Sequence, residues 1–207
     1  MSLGARTVLP RVAAVVSLSV LLTAGCRNAP PAPTDYVGKV EASRAAKDAS
    51  FKATNDPVPE SKKDEFLPLA YFAIDPDYNV PGVLRPSPDS PTLMMPTSTG
   101  QQREMRRVGL LEFTLKGQPL KLTAFVEVGA QDLNRLFVPF TDMTSGTETY
   151  PAGRYMDLDR TATGVYEVDF NYAYHPYCYF NESYDCPFPP AENRLKVPIR
   201  AGEKLKS

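Results

Sequence analysis

Short runs of β-branched and aromatic residues, separated by turn-forming residues, fill the second half of the chain. Six runs predict strands, at residues 107–115, 120–128, 134–140, 153–159, 165–172 and 193–203. The stretches KGQP, after the first run, and RTATG, after the fourth, each contain a glycine and indicate hairpins. Short strands joined by such turns predict a mainly β domain, an antiparallel sheet closing into a barrel-like or sandwich structure.

A single helix is predicted before the β-rich part, at residues 35–54. This stretch is rich in Ala, Lys and Glu and contains no proline. Four of its residues share one face at helical spacing, namely Val40, Arg44, Lys47 and Phe51. That face either packs Phe51 on the core with its charges in water, or directs Arg44 and Lys47 toward acidic groups.

The β-rich part is predicted to extend over residues 66–201, and residues 35–207 are predicted to form one domain. A stretch rich in Pro, Ser and Thr at residues 86–100 indicates a mobile loop. About 180 residues suffice for one domain with a hydrophobic core.

The N-terminus has the order of a secretory signal peptide. Two arginines precede an apolar run at residues 12–22, which is shorter than the roughly 20 residues of a membrane span. Residues 1–25 are therefore predicted to be removed. Cys26 directly follows two small residues, which resembles the bacterial lipobox; it is predicted to be lipidated and to hold the protein on a membrane. Residues 26–34, rich in Pro and Ala, would form a tether. Ordinary secretion with an unmodified Cys26 is the alternative.

These features predict a cell-envelope protein. The predicted location is the outer membrane, facing the periplasm, in a host with two membranes, and the extracellular face of the cell membrane otherwise. Removing two arginines from 23 basic residues leaves 21, against 24 acidic residues. Because no basic excess remains, we predict no nucleic-acid partner.

Two cysteines remain after Cys26. Cys178 and Cys186 are close in sequence, and outside the cytoplasm such a pair predicts a disulfide that stabilises by about 2–3 kcal/mol. The alternative is a metal site, but His175 is the only histidine and brings the ligands to three at best. We therefore predict no metal and no cofactor.

The loop after the third predicted strand is rich in hydroxyl groups. It contains Asp142, Thr144 and Ser145, and its glycines Gly146 and Gly153 allow turns closed to other residues. Such a loop could present hydroxyls and backbone N–H groups to an anion or a sugar, or it could bond its own backbone.

Two catalytic arrangements are open. Ser145 could be a nucleophile with His175 as its base, oriented by Asp169 or by Asp142. Asp142 and Asp169 could instead form a carboxylate pair for glycoside cleavage. A structural His175 is the alternative, since the ring stands next to a proline and has no second metal ligand nearby.

Arg154 is predicted to point inward. Strand alternation puts it on one face with Met156 and Leu158, and a buried arginine needs a partner. Asp169 on the facing strand is the expected partner. Arg154 would either form a structural ion pair or anchor a ligand.

Aromatic residues crowd the stretch between the last two predicted strands. Seven of the fifteen residues from Phe170 to Tyr184 are Phe or Tyr. The tyrosines are Tyr172, Tyr174, Tyr177, Tyr179 and Tyr184. Rings with a hydroxyl at the tip suit a sugar, an aromatic metabolite or a peptide, and they suit a corner of the core equally.

The stretches FTDMTSGTETYPAGRYMDL and DFNYAYHPYCYFNESYDCPFPPAENRLKVPIRAGEK resemble a bacterial family catalogued as domain of unknown function 1684. The resemblance implies a secreted or lipid-anchored protein, and it implies no activity. The cysteine pair, Arg154, Asp142, Asp169 and Asn171 fit the family pattern. Many members have Asn where this chain has His175, which argues against an essential catalytic histidine.

The sequence thus predicts a lipid-anchored envelope protein that binds a small polar or glycan-like ligand. The candidate binding residues are Asp142, Thr144, Ser145, Arg154, Asp169, Asn171 and His175. The alternatives are a structural or assembly factor of the envelope, whose polar clusters satisfy one another, and a hydrolase.

Overall fold

The computed structural model describes Met1, residues 33–130 and residues 134–206. The predicted signal peptide, Cys26 and all but the end of the predicted tether lie outside the described residues. From Pro33 onward, the described residues belong to one compact unit. No helix among them has both the length and the apolar character needed to cross a membrane.

The predicted N-terminal helix is confirmed as α1, Pro33–Ala53. Its inner face carries Val40, which is fully buried, and Phe51. The cations of this face point at the domain: Arg44 donates to the carbonyl of Phe72 at 3.0 Å, and Lys47 to the carboxylate of Glu203 at 2.5 Å. The expectation of an acidic partner is therefore met by Lys47, whereas Arg44 binds backbone oxygen.

Within the described residues, seven strands form one antiparallel sheet, which curls into a nearly closed barrel. They are β1 (Asn79–Pro86), β2 (Thr92–Pro96), β3 (Gln102–Leu115), β4 (Gln118–Glu127), β5 (Arg135–Phe140), β6 (Arg154–Asp159) and β7 (Val165–Asp169). The order is β6-β5-β4-β3-β1-β7, and β2 pairs with β3 off this path. A second helix, α2 (Lys63–Phe66), is short. The mainly β, barrel-like prediction is confirmed.

The long strand β3 pairs with two strands, β1 and β2, along one edge. Its first part pairs with β2 and its second with β1, and the register shifts between Arg107 and Gly109. A Cβ at position 109 would lie 2.4 Å from the carbonyl oxygen of Arg85, so only glycine allows this approach. At the far end of β3, Lys116 and Gly117 have positive φ angles and form the predicted hairpin turn.

Two local predictions were wrong. The expected mobile loop at 86–100 contains β2, whose Met95 is buried against Met105 and Phe125. The expected strand at 193–203 is instead irregular, because its carbonyl groups turn toward a buried arginine, described below. We call residues 194–206 the C-terminal segment.

The core fills the barrel, following the alternation of each strand. The buried side chains include Leu111, Leu122, Val138, Phe140, Met156, Val168, Phe170 and Ile199. Ile199 comes from the C-terminal segment, which thus closes the barrel interior. The opposite faces of β5 and β6 carry Phe137, Tyr155 and Asp157, which lie outside this core.

Candidate ligand-binding site

Arg154 lies inside the barrel and is bound there by other groups of the protein. It is completely buried, as the alternation of β6 predicts. Its guanidinium donates to the carboxylate of Asp142 at 2.9 Å, to the carbonyl of Ile199 at 2.7 Å and to the carbonyls of Ala201 and Glu203. Burial lowers the pKa of Arg154, but an arginine stays charged in proteins. The prediction that Asp169 pairs with Arg154 was wrong, because the carboxylate bound to Arg154 is that of Asp142.

The hydroxyl-rich loop mostly bonds to itself. The second oxygen of Asp142 accepts hydrogen bonds from the backbone and the hydroxyl of Thr144, at 2.7 and 2.6 Å, and from the N–H of Ile199. The hydroxyl of Ser145 accepts from the N–H of Asp142 at 3.1 Å. Asp142 and Ser145 border a cavity of about 440 Å³, but the Asp142 side chain is only 1% exposed. The carboxylate is thus occupied by protein partners.

Asp169 and Asn171 form a second buried network, which fastens α1 to the barrel. The hydroxyl of Tyr36 donates to Asp169 at 2.8 Å, and the Asn171 amide donates to that hydroxyl and to the carbonyl of Asp75. Burial raises the pKa of Asp169. All the polar atoms of the Asn171 side chain have protein partners, since its oxygen accepts from the N–H of Asp75.

His175 is buried and bound on both sides. Its Nε2 accepts from the N–H of Tyr150 at 3.3 Å, and its backbone N–H donates to Glu203 at 2.7 Å. Burial, reinforced by the charges of Arg154 and Lys47, lowers the pKa of His175 to about 3. The ring is therefore neutral at physiological pH, and the hydrogen bonds described for it do not reach Ser145.

Because burial depresses the pKa of His175, acid should destabilise the fold through this residue. Below about pH 6.5 the unfolded chain binds a proton that the folded chain does not bind until about pH 3. Stability should fall across this window by up to about 1.4 kcal/mol per pH unit relative to a His175→Asn variant. Urea denaturation of both proteins at pH 7 and pH 4.5 measures the difference. An equal loss in both would show that His175 does not contribute.

The predicted binding residues therefore occupy two internal networks instead of one cavity. A larger cavity, of about 780 Å³, lies on the outer face of β5 and β6, and we call it the tyrosine pocket. Its aromatic lining consists of Phe137, Tyr155, Tyr174, Tyr177 and Tyr184. Its charged lining consists of Lys47, Arg103, Glu127, Arg135, Asp157 and Asp185. The predicted candidates Asp142, Thr144, Ser145, Arg154, Asp169, Asn171 and His175 are not among the described residues that line it.

The sheet and the tyrosine-rich stretch build this pocket together. Tyr155 of β6 forms an isolated antiparallel bridge with Tyr174, which brings the stretch over the outer face of the strand. Phe137 and Tyr155 pack edge to face with their ring centroids 4.7 Å apart. The hydroxyl of Tyr155 is tied to the carbonyl of Pro187 at 2.6 Å. The floor and one wall are thus held in place by the fold.

Asp157 is the distinctive polar group of the pocket. One of its oxygens accepts a hydrogen bond from the hydroxyl of Tyr174 at 2.8 Å. Partial desolvation by the surrounding atoms raises the pKa of Asp157, although the residue remains exposed to solvent. A ligand can therefore reach its carboxylate. Among the described residues, no group of three or more His, Cys, Asp or Glu is arranged to hold a metal ion.

The sequence contained a signal for the tyrosine pocket, although the predicted binding residues do not line it. Tyr174, Tyr177 and Tyr184 belong to the aromatic stretch already singled out, and they do line a cavity. Asp157 was overlooked because it lies on the outer face of a strand, where a charge is ordinarily in water. The bridge between Tyr155 and Tyr174 brings the aromatic stretch over that face, where it lines the pocket.

Cys178 and Cys186 meet at the edge of the tyrosine pocket. Both are buried and carry free thiols in this structure, and the Cys178 N–H donates to the Cys186 sulfur at 3.2 Å. Hydrogen bonding from Cys186 lowers the pKa of Cys178 to about 7. The predicted disulfide stays a prediction, and this proximity is compatible with it.

Oxidation should join these two cysteines and stabilise the fold by about 2–3 kcal/mol, because a cross-link restricts the unfolded chain. Intact mass after alkylation, with and without reductant, reports the bond, and chemical denaturation of both forms reports the stability. The variant Cys178→Ser, Cys186→Ser should show no such dependence on reductant. Full alkylation of the oxidised protein at both positions would contradict the prediction.

Comparisons with known proteins identify a matching family and a similar solved structure. The profile of a family described as a protein of unknown function (DUF1684) matches residues 64–204. The solution NMR structure of an uncharacterized protein from Haloarcula marismortui is similar, with a TM-score of 0.65 and 34% sequence identity. The match covers 83% of this chain and 95% of that chain. No match was found among curated proteins.

Proposed function

The chain belongs to the DUF1684 family of proteins of unknown function, and we propose that it binds a small polar ligand in the tyrosine pocket. The observation that supports this most directly is the Asp157–Tyr174 pair, which faces an aromatic cavity of about 780 Å³. Pockets for small molecules are typically about 300–1,000 Å³, largely aromatic and apolar, with a few polar groups that fix orientation.

Ligand binding in the tyrosine pocket fits the described contacts better than the two predicted catalytic arrangements do. A nucleophile and its base must lie within hydrogen-bond reach of each other. The described contacts of Ser145 are with its own loop, and those of His175 are with Tyr150 and Glu203. Asp142 and Asp169 each bind protein partners from a different part of the chain. The polar groups of the pocket, by contrast, face a space that a ligand can enter.

The proposal places this binding domain in the cell envelope, held by a lipid on Cys26. Its support is the sequence alone: the arginines, the apolar run at residues 12–22 and the small residues before Cys26. Expression of the full chain in a bacterial host should give a protein in the membrane fraction that incorporates radiolabelled palmitate. A Cys26→Ser variant should lose the label and leave that fraction. Labelling that survives the substitution would refute the anchor.

Binding is tested on the full chain by a thermal-shift screen of sugars, amino acids and short peptides. A binder should raise the melting temperature, and the rise should disappear in Asp157→Ala, because the carboxylate and the Tyr174 contact are lost together. The matched control is Glu167→Ala, an exposed carboxylate on β7 outside the pocket. If the screen yields no binder, or if Asp157→Ala binds as well as the control does, the pocket is not the binding site.

A further inference from the structure

We infer that the ligand of the tyrosine pocket is a zwitterion, an α-amino acid or short peptide whose ammonium group binds Asp157 and whose carboxylate binds Arg135. This inference rests on the proposed function and specifies the ligand class. Three observations support it. Most charged groups of the pocket already have protein partners, the strand register places the two remaining charges on one face, and aromatic surface lies beside them.

Most charged groups of the pocket have protein partners. Lys47 binds the buried carboxylate of Glu203 at 2.5 Å. Arg103 binds both Glu127, at 3.5 Å, and Asp185, at 3.1 Å. These three contacts account for two of the cations and two of the carboxylates that line the cavity. Among the described lining residues, one carboxylate and one cation are left.

The two remaining charges are Asp157 and Arg135. Within the described part of the chain, Asp157 is in no ion pair and bonds only to the neutral hydroxyl of Tyr174. Arg135 has there a single ion-pair contact, at 3.9 Å, with Asp159, and the Asp159 side chain is 91% exposed. Such an exposed contact is weak and is readily exchanged for a ligand.

The strand register places these two charges on the same face. Arg135 pairs with Asp159, and Phe137 pairs with Asp157. Alternate residues of a strand share a face, so Arg135 and Asp157 are diagonal neighbours on adjacent strands, roughly 7–8 Å apart at the backbone. The long arginine side chain can shorten or lengthen the distance between the two charged groups. Phe137 shares this face and supplies aromatic surface beside both charges.

A zwitterion matches this arrangement better than a singly charged or neutral molecule. A neutral sugar would cover the Asp157 carboxylate without compensating its charge, which is unfavourable where water has been displaced. An anion would meet Arg135 but be repelled by Asp157. An ammonium group at Asp157 would also lie near the ring of Tyr155, two residues away on the same face of β6, and aromatic faces attract cations. The Tyr174 ring already has the Lys47 ammonium 4.9 Å from its centroid. The volume leaves room for a side chain or a second residue.

The test is isothermal titration of the full chain with a matched series. The zwitterions are L-phenylalanine and L-Ala-L-Ala, and the capped probes are N-acetyl-Ala-Ala, without the ammonium, and Ala-Ala-amide, without the carboxylate. D-glucose is the neutral probe. We expect at least one zwitterion to bind, and each cap to weaken binding by about 10- to 100-fold, the effect of one hydrogen-bonded charge.

Two variants assign the charges. Asp157→Asn keeps an acceptor for Tyr174 and should remove the penalty of the N-acetyl cap, while Arg135→Gln should remove the penalty of the amide cap. Neither should change the melting temperature of the free protein greatly, since both residues reach the surface. Capped peptides that bind as well as uncapped ones, or glucose binding without zwitterion binding, would overturn the inference and leave the proposed function intact. If all five probes fail and the wider screen also yields no binder, both fall.

Discussion

Replacing Arg154 with methionine should lower the free energy of unfolding by about 3–5 kcal/mol, the usual effect of removing one partner of a buried ion pair. For a domain of this size, each kcal/mol corresponds to about 2–4 °C, so the melting temperature should fall by on the order of 10 °C. Methionine keeps much of the volume, so the loss reports the charge and hydrogen bonds and not a cavity.

The expected loss is large because four groups depend on this side chain. The carboxylate of Asp142 would lose its cation, and three carbonyl groups of the C-terminal segment would lose their donor. All of these groups lie where water does not replace the missing partner, since Arg154 is fully buried. The ring centroids of Phe72 and Phe140 also lie 5.9 and 5.3 Å from the guanidinium carbon.

The matched control is Arg106→Met on β3, where the arginine is exposed and forms no ion pair with any described residue. Its stability should change by no more than about 0.5 kcal/mol. Thermal and urea denaturation of both variants decide the matter. A normal melting temperature in Arg154→Met, accompanied by loss of ligand binding, would show that Arg154 anchors a ligand and that its internal contacts contribute little.

Alanine at Gly202 should destabilise the protein by about 2–4 kcal/mol, because the position combines two kinds of strain. Its φ of +77° is one that other residues rarely adopt. A Cβ there would lie 2.4 Å from the carbonyl oxygen of Ala173 and 2.7 Å from that of Phe170. Both obstacles are backbone atoms, so a side-chain rotation cannot relieve the contact.

Gly38→Ala provides the opposite case in the same protein. Gly38 is an exposed position of α1, and a methyl group added there would meet no other atom within 4 Å. Alanine at this position should increase stability by about 0.5–1 kcal/mol, since glycine is a poor helix former. Denaturation curves of the two variants should shift in opposite directions. Unchanged stability in Gly202→Ala would mean that the C-terminal segment adapts to the extra methyl group.

Local patterns predicted the parts of the fold that depend on local rules. The direction of Arg154 followed from the two-residue period of β6, which fixes the face of each side chain. Its partner did not follow, because Asp142 comes from a loop whose path depends on contacts with the C-terminal segment. Strands β1 and β2 were missed because each ends in a proline, which sequence reasoning associates with loops but which strand ends and edges tolerate.

The tyrosine pocket was predictable only in part, because its lining comes from distant parts of the chain. The abundance of tyrosine between residues 170 and 184 marked a surface, and its chemistry could be stated in advance. Which charges face that surface depends on one bridge, between Tyr155 and Tyr174, that joins residues distant in sequence. The prediction favoured residues such as Arg154 over Asp157, because a charge that is predicted to be buried suggests a function. In the structure, the described partners of Arg154 are all groups of the protein itself.

The contacts of Arg154 with the C-terminal segment also bear on the order in which the molecule can fold. A chain is synthesised from its N-terminus, so every strand of the barrel exists before residues 199–203 do. Until those residues arrive, a guanidinium in the barrel interior lacks three of its four acceptors, and the interior lacks Ile199. The protein therefore completes its native structure only after residues 199–203 are available.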